Sequence, residues 1–217
     1  MSKTDAQLQT DVIDELAFDP QVDASTIGVT AKGGVITLTG TVRNFPEKYA
    51  AEHAAKRVGG VRGIAEELLV EIPSAFHRSD ADIARAAVAA LDLDITVPKN
   101  KVTAKVENGW LTLDGTLDWH YQREAAMKAV AHLIGLKGVA NAITVKPMAS
   151  SFDVRVKIRQ AFERNAGIDA NKVQVALNGD IVTLTGNVRS WSERDEATYA
   201  AASVPGVSVV HNYTHVA

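Results

Sequence analysis

The sequence predicts an α+β fold: three tandem α-β-β-α-β domains, each a small three-stranded mixed sheet with two helices on one face. Three observations predict it. The octet Val35 to Val42, VITLTGTV, returns in related form as Trp110 to Leu117 and Ile181 to Val188. Anchored on Gly40, Gly115 and Gly186, the segments Leu8 to Val70, Ile83 to Val145 and Val154 to Val216 superimpose without insertion or deletion, so one unit of 63 residues is written three times. Within each unit the apolar period changes from four residues to two and back again. The expected domains are 5–72, 80–147 and 151–217 of the 217 residues. Units this short bury a modest share of their surface, so packing between neighbours is expected to contribute to stability.

The first element of each unit is a helix. Leu8, Val12 and Leu16 recur every four residues, matched by Ile83, Ala87, Leu91 and by Val154, Ile158, Phe162. Asp5, Asp80 and Ser151 stand three residues before these stripes and are the expected N-caps, because their side-chain oxygens can take a free N–H of the first turn. Alternation follows in Ile27, Val29, Ala31 and its copies Val102, Ala104, Val106 and Val173, Val175, Leu177. Gly33-Gly34, Asn108-Gly109 and Asn178-Gly179 then supply the backbone freedom of a tight turn, so two antiparallel strands are expected.

The second strand carries Ile36, Leu38, Gly40 and Val42 on one face and Thr37, Thr39 and Thr41 on the other. A core side and a water-facing side are thereby predicted. Gly40, Gly115 and Gly186 fall on the core side, and their expected role is clearance for a close helix backbone. That helix is the next segment. Asn44 with Glu47 and Ser190 with Glu193 have capping-box spacing, with Gln122 at the matching position of the second copy. Its stripe is made of small residues: Ala51, Ala54, Ala55; Ala126, Ala129; Ala197, Ala200, Ala201. Gly60, Gly135 and Gly206 are expected to end it in the left-handed conformation. A third strand follows, parallel to the second through a right-handed crossover. Linkers are expected at 71–79 and 146–150, with Pro73 and Pro147 marking their starts.

Composition excludes several classes. The hydrophobic share of 46% is that of a folded protein, and the absence of cysteine removes disulfide and thiolate chemistry. The formal charge is -3, and residues 5–70 hold six cationic against ten acidic side chains, so no basic excess marks a nucleic-acid binder. Residues 80–145 and 151–216 are close to neutral by the same count. The basic run Arg155, Lys157, Arg159, Arg164 is read as a solvated helix face, with an anionic contact as the alternative. No window is apolar enough to span a membrane, and no signal segment opens the chain. A cytoplasmic location is expected if the N-terminus is complete, and a periplasmic one if a signal has been removed.

The unit resembles the BON domain, named for bacterial OsmY and nodulation proteins. The likeness rests on Leu38-Thr39-Gly40-Thr41-Val42 and Leu184 to Val188 in the hairpin, the alanine-rich helix, and Gly60-Val61 and Gly206-Val207 before the last strand. The second copy departs at Leu113-Asp114-Gly115-Thr116-Leu117 and Gly135-Leu136, keeping the side-chain class in the core. The resemblance implies a non-enzymatic protein of osmotic or envelope stress that binds phospholipid or another apolar or protein partner.

Candidate contact residues are aromatic. Phe45, His120 and Trp191 share one repeat position between the second strand and second helix, and Trp119 and Tyr121 flank it in the second copy. They are read either as a cover over the small core or as an interface or ligand contact. Trp119 stands where the other copies have the helix caps Asn44 and Ser190. No catalytic motif, cofactor motif or metal site is expected: His211 and His215 lie about 13 Å apart along an extended strand, and the pairs Glu66-Glu67 and Asp92 with Asp94 read as solvated. Two further readings stay open, a small-ligand or ion-responsive module in which the ligand changes domain packing, and a structural protein forming homo-oligomers through its strand edges.

Overall fold

A computed structural model describes residues 3–146 and 154–216. Its first domain consists of α1 (Asp5–Phe18), β1 (Ile27–Lys32), β2 (Val35–Val42), α2 (Phe45–Arg57) and β3 (Gly63–Val70). The second contains α3 (Asp80–Leu93), β4 (Val102–Glu107), β5 (Trp110–Leu117), α4 (His120–Val130), β6 (Gly138–Asn141) and β7 (Thr144–Val145). The third contains α5 (Val154–Arg164), β8 (Val173–Asn178), β9 (Ile181–Val188), α6 (Trp191–Ala202), β10 (Val209–Asn212) and β11 (His215–Val216). In each domain the middle strand pairs antiparallel with the first and parallel with the last, Val29 facing Leu38 and Leu38 facing Glu66 in the first copy. This is the predicted mixed sheet, three times.

Each core is the product of the two periods. Leu8, Val12 and Leu16 are buried against Ile36, Leu38 and Val42, while Ala51, Ala54 and Ala55 have no exposed surface. Alanine brings the axis of α2 close to the sheet, and the equivalents Ala126, Ala197 and Ala201 are as fully buried. The last strand is continuous in the first copy and interrupted in the others. Where the ladder lapses between β6 and β7 and between β10 and β11, Asn141 and Asn212 accept at their side-chain oxygens from the backbone N–H two residues on, Ile143 and Thr214. Glu66 does the same to Leu68 at 2.7 Å and pairs with Lys48 at 2.9 Å, so it is a partnered structural carboxylate rather than a solvated one.

Two N-cap expectations are corrected. The N-caps of α1 and α3 are Thr4 and Ser79, one residue earlier than expected. Asp5 and Asp80 instead reach across to the hairpin turns: Asp5 accepts from Gly33 and Gly34 at 2.8 and 3.0 Å, and Asp80 from Asn108 and Gly109 at 2.8 and 2.9 Å. The two turn N–H groups hold the Asp5 carboxyl below its usual range. A carboxylate can bridge both donors where a capping role uses one, which is why Asp stands at this position. The expected cap Ser151 and the linker from Pro147 to Ser150 lie outside the described residues.

The glycines are corrected in cause. Gly40 is exposed and does not lie under α2; a Cβ on it would stand 2.1 Å from the Thr26 carbonyl oxygen of the neighbouring chain segment. Gly115 and Gly186 meet Lys101 and Lys172 in the same way at 2.1 and 2.0 Å, and the three φ angles are +116°, +154° and +111°. The strand bends here, beside the start of its antiparallel partner, and both the sign of φ and the approaching carbonyl exclude a side chain. Gly60, Gly135 and Gly206 do take positive φ, 97°, 94° and 99°, but α2 is already closed by Val58, so they shape the turn into the last strand.

The variant Gly40→Ala is therefore expected to cost more than about 2 kcal/mol in chemical denaturation, combining strained φ with a carbonyl clash. Gly33→Ala, where φ is +60° and nothing lies within reach of the new carbon, should cost about 1 kcal/mol. Equal losses at the two sites would contradict the role assigned to the bend.

Candidate functional site at the domain seams

The second helices α2, α4 and α6 begin on the same loop geometry. Asn44 and Ser190 cap the Glu47 and Glu193 N–H groups at 2.9 and 3.1 Å. The two glutamates are buried and face backwards: Glu47 accepts from Asp23 and Arg43, and Glu193 from Asp169 and Arg189. Each carboxylate thus ties the loop before the first strand to the entry of the second helix. Burial raises the Glu193 pKa, but the Arg189 guanidinium and the two N–H donors outweigh it and hold the group below its usual range. In the second copy Gln122 takes the N–H groups of Asp118 and Trp119 at 3.2 and 3.1 Å, and Trp119 offers no cap to the helix. These loops fix the direction of the first helical side chain, at positions 45, 120 and 191.

That side chain leaves its own domain. Phe45 lies buried in the second domain's core, among Ile83, Leu111, Leu117 and Ile143. Trp191 packs on the cores of both the third domain and the first. Two cations lie over its indole, Arg194 at 4.6 Å on its own helix and Lys56 at 5.9 Å on α2. His120 is half-buried and sits by the backbone of Ser208 in the third domain. The order is first onto second, second onto third and third onto first, made by one repeat position each time. Such head-to-tail contacts close a ring when the rotation returns on itself, and α2 packs against α6 as closure requires. The charges of Glu124 on α4 and Asp195 on α6 bear on Tyr49 of α2, all three at equivalent repeat positions. Burial, chiefly, raises the Tyr49 phenol's pKa, and those two carboxylates add to the rise.

The five aromatic candidates are therefore divided. Phe45, His120 and Trp191 are at seams, Trp119 is half-buried beside one, and Tyr121 is 49% exposed. Among the described residues, the side-chain atoms buried without a hydrogen-bond partner are His120 Nε2, Arg123 Nε, Trp191 Nε1 and Arg194 Nε, two repeat-equivalent pairs. The sequence did not point to another set, the exposed apolar groups on the first helices: Ile13 and Phe18 on α1, Val88 and Leu93 on α3 with Ile95 just beyond, and Val156 on α5. Phe18 and Leu93 are repeat equivalents at 83% and 82% exposure, two residues past the last core position, and that off-stripe placement was the available signal. Their third-copy equivalent is Arg164.

A cleft of about 1030 Å³ lies in the third-to-first seam, between Lys3, Gly34, Gly60 and Arg62 on one side and Arg189 and His215 on the other. Lys3 is paired with Asp11 at 2.6 Å and Arg189 with Glu193 at 3.0 Å, leaving Arg62 as its freer cation. His211 and His215 are both exposed, and the described residues contain no group of three or more side chains disposed to hold a metal ion.

Truncating a seam residue should loosen the ring without unfolding the domains. Phe45→Ala and Trp191→Ala are each expected to lower global stability by about 3 kcal/mol, the range for emptying an aromatic site, and to enlarge the chain in solution scattering while far-UV dichroism is unchanged. A Phe45→Ala chain of parental stability and size would refute its place in the second core.

A family model described as BON domain matches residues 4–71, 79–147 and 150–217. A similar protein is the osmotically-inducible protein Y of Escherichia coli K12, 26% identical over 146 residues, which span 65% of this chain and 73% of that one. Among solved structures, CdsD, a structural protein of the type III secretion system of Chlamydia trachomatis, aligns at 16% identity and a TM-score of 0.27 over 94% of this chain and 90% of that one. The C-terminal domain of CdsD aligns at 15% identity and a TM-score of 0.26, covering 99% of this chain and 98% of its own. With three repeats matched over nearly the whole sequence, each folded as a mixed three-stranded sheet under two helices, the chain belongs to the BON domain family.

Proposed function

We propose that this protein is a non-catalytic, stress-related binding protein of the BON type that docks on a phospholipid surface through its first helices. The observation that carries the reading is the exposed apolar set Phe18, Leu93 and Ile95, at 83%, 82% and 99% exposure. A cyclic arrangement brings repeat-equivalent positions to one level of the ring, so Phe18, Leu93 and Arg164 share a rim. All three helices offer exposed apolar side chains, and the third, α5, sets Val156 among the exposed cations Arg155, Lys157, Arg159 and Arg164. Apolar groups beside cations suit the boundary of an anionic membrane, where each basic residue adds about 1 kcal/mol. No helix among the described residues is long and apolar enough to cross a membrane, so the contact is interfacial. The osmotic induction in the relative's name supports the stress assignment.

A second reading, a module responsive to a small anion, is favoured by the cleft lined by Lys3, Arg62, Arg189 and His215. Flotation with phosphatidylcholine vesicles, with and without phosphatidylglycerol, separates the two. The membrane reading predicts flotation that increases with anionic lipid and falls at least tenfold in Phe18→Asp/Leu93→Asp. Absence of flotation from both vesicle types overturns it. Inorganic phosphate raising the thermal midpoint without flotation would favour the cleft.

A further inference from the structure

Two seams of the ring are pegged by carbon-rich rings and one by an imidazole. Phe45 seats on the second domain and Trp191 on the first, and neither changes charge. His120, at the same repeat position, is the peg of the second-to-third seam, and its Nε2 is buried without a hydrogen-bond partner. A neutral ring tolerates that place. An imidazolium has two donors, and no carboxylate accepts from this one.

The surrounding charges decide the direction. From its own helix His120 faces Arg123, whose Nε is also buried and unpartnered and whose guanidinium is held on the Asn141 carbonyl at 3.4 Å. From the third domain it faces the Ser208 backbone; the nearby Asp180 carboxylate is occupied by the Ser208 hydroxyl. Burial first, and then the Arg123 charge, lower the His120 pKa below its ordinary 6.5, and the Ser208 backbone opposes this only in part. The other half-buried histidine, His53 in the third-to-first seam, is placed differently. It packs tilted against Tyr49, ring centroids 4.2 Å apart, and burial first, then Lys56, lower its pKa as well, while the acids Glu52 and Asp195 oppose this. An imidazolium there has acidic neighbours, including one across the seam.

We propose that the second-to-third seam is an acid-opened gate in the ring: neutral His120 seats against the third domain, and protonated His120 withdraws and releases it. The sign follows from linkage. A histidine harder to protonate in the closed state contributes its full stabilisation of closure above the free value of 6.5, and loses it as pH falls from 6.5 towards the depressed value. The Phe45 and Trp191 rings themselves carry no titrating group, and His53 in the Trp191 seam keeps acidic neighbours when protonated, so acid is expected to yield an opened ring of folded domains rather than a denatured chain.

Small-angle scattering and far-UV dichroism of the full chain, from about pH 7.5 to about pH 5, test this. A compact chain of 217 residues has a radius of gyration of about 17 Å. The parent is expected to begin near the compact value and to expand on acidification with unchanged dichroism. His120→Phe should stay compact throughout, with His120→Trp as a second closed variant, and His120→Lys should be expanded already at neutral pH. His53→Gln should expand as the parent does. A parent that keeps its size, closed variants that expand like the parent, or loss of the transition in His53→Gln would each overturn the proposal.

Discussion

A ring side chain at the first residue of each second helix, seated on the following domain, is the contact on which the assembly depends. Each domain has a core of its own, with its alanine-striped helix on a three-stranded sheet. At about 60 residues, however, such a unit leaves much of its apolar surface near water. Phe45 and Trp191 cover part of that surface in a neighbour. The direction of these side chains is set beneath them by Glu47, Gln122 and Glu193, which gather the N–H groups of the helix entry and, for the two glutamates, of the loop before the first strand. Buried acceptors that each satisfy two backbone donors hold one geometry, and one geometry repeated three times closes a ring.

The fold was legible because its signals are local and written three times. Leu8, Val12 and Leu16 announce a helix, and Ile36 and Leu38 a strand, without reference to distant contacts. What the sequence concealed was partnership across the chain. Asp5 looks like a helix cap because it stands at a helix start; that its carboxylate spans to Gly33 and Gly34 depends on where the hairpin folds back. Gly40 has core parity in its strand, and only the positive φ and the Thr26 carbonyl reveal that a bend, not a helix, demands glycine. Phe45, His120 and Trp191 were identifiable as a shared position, but a linear sequence cannot say onto which domain each falls. Phe18 and Leu93 were signalled only by standing off the core stripe, two residues past Leu16 and Leu91.

The differences between copies are where functional specialisation is to be sought. The same helix carries exposed Phe18 and Leu93 in two domains and Arg164 in the third, and the proposed docking face uses that difference. The same peg is Phe, His and Trp, so one peg alone can take up a proton. Repetition of one fold with different residues at its solvent and seam positions gives the three domains chemically distinct sides.

Cyclic closure is tested most directly by a distance across the third-to-first seam, which joins the domains farthest apart in sequence. The chain has no cysteine, so spin labels on Arg62→Cys and His215→Cys, on opposite walls of the cleft, report only that separation. A single narrow, short-distance population in the full chain is the predicted result. A broad distribution extending to long distances, as for three domains strung on flexible linkers, would contradict the ring.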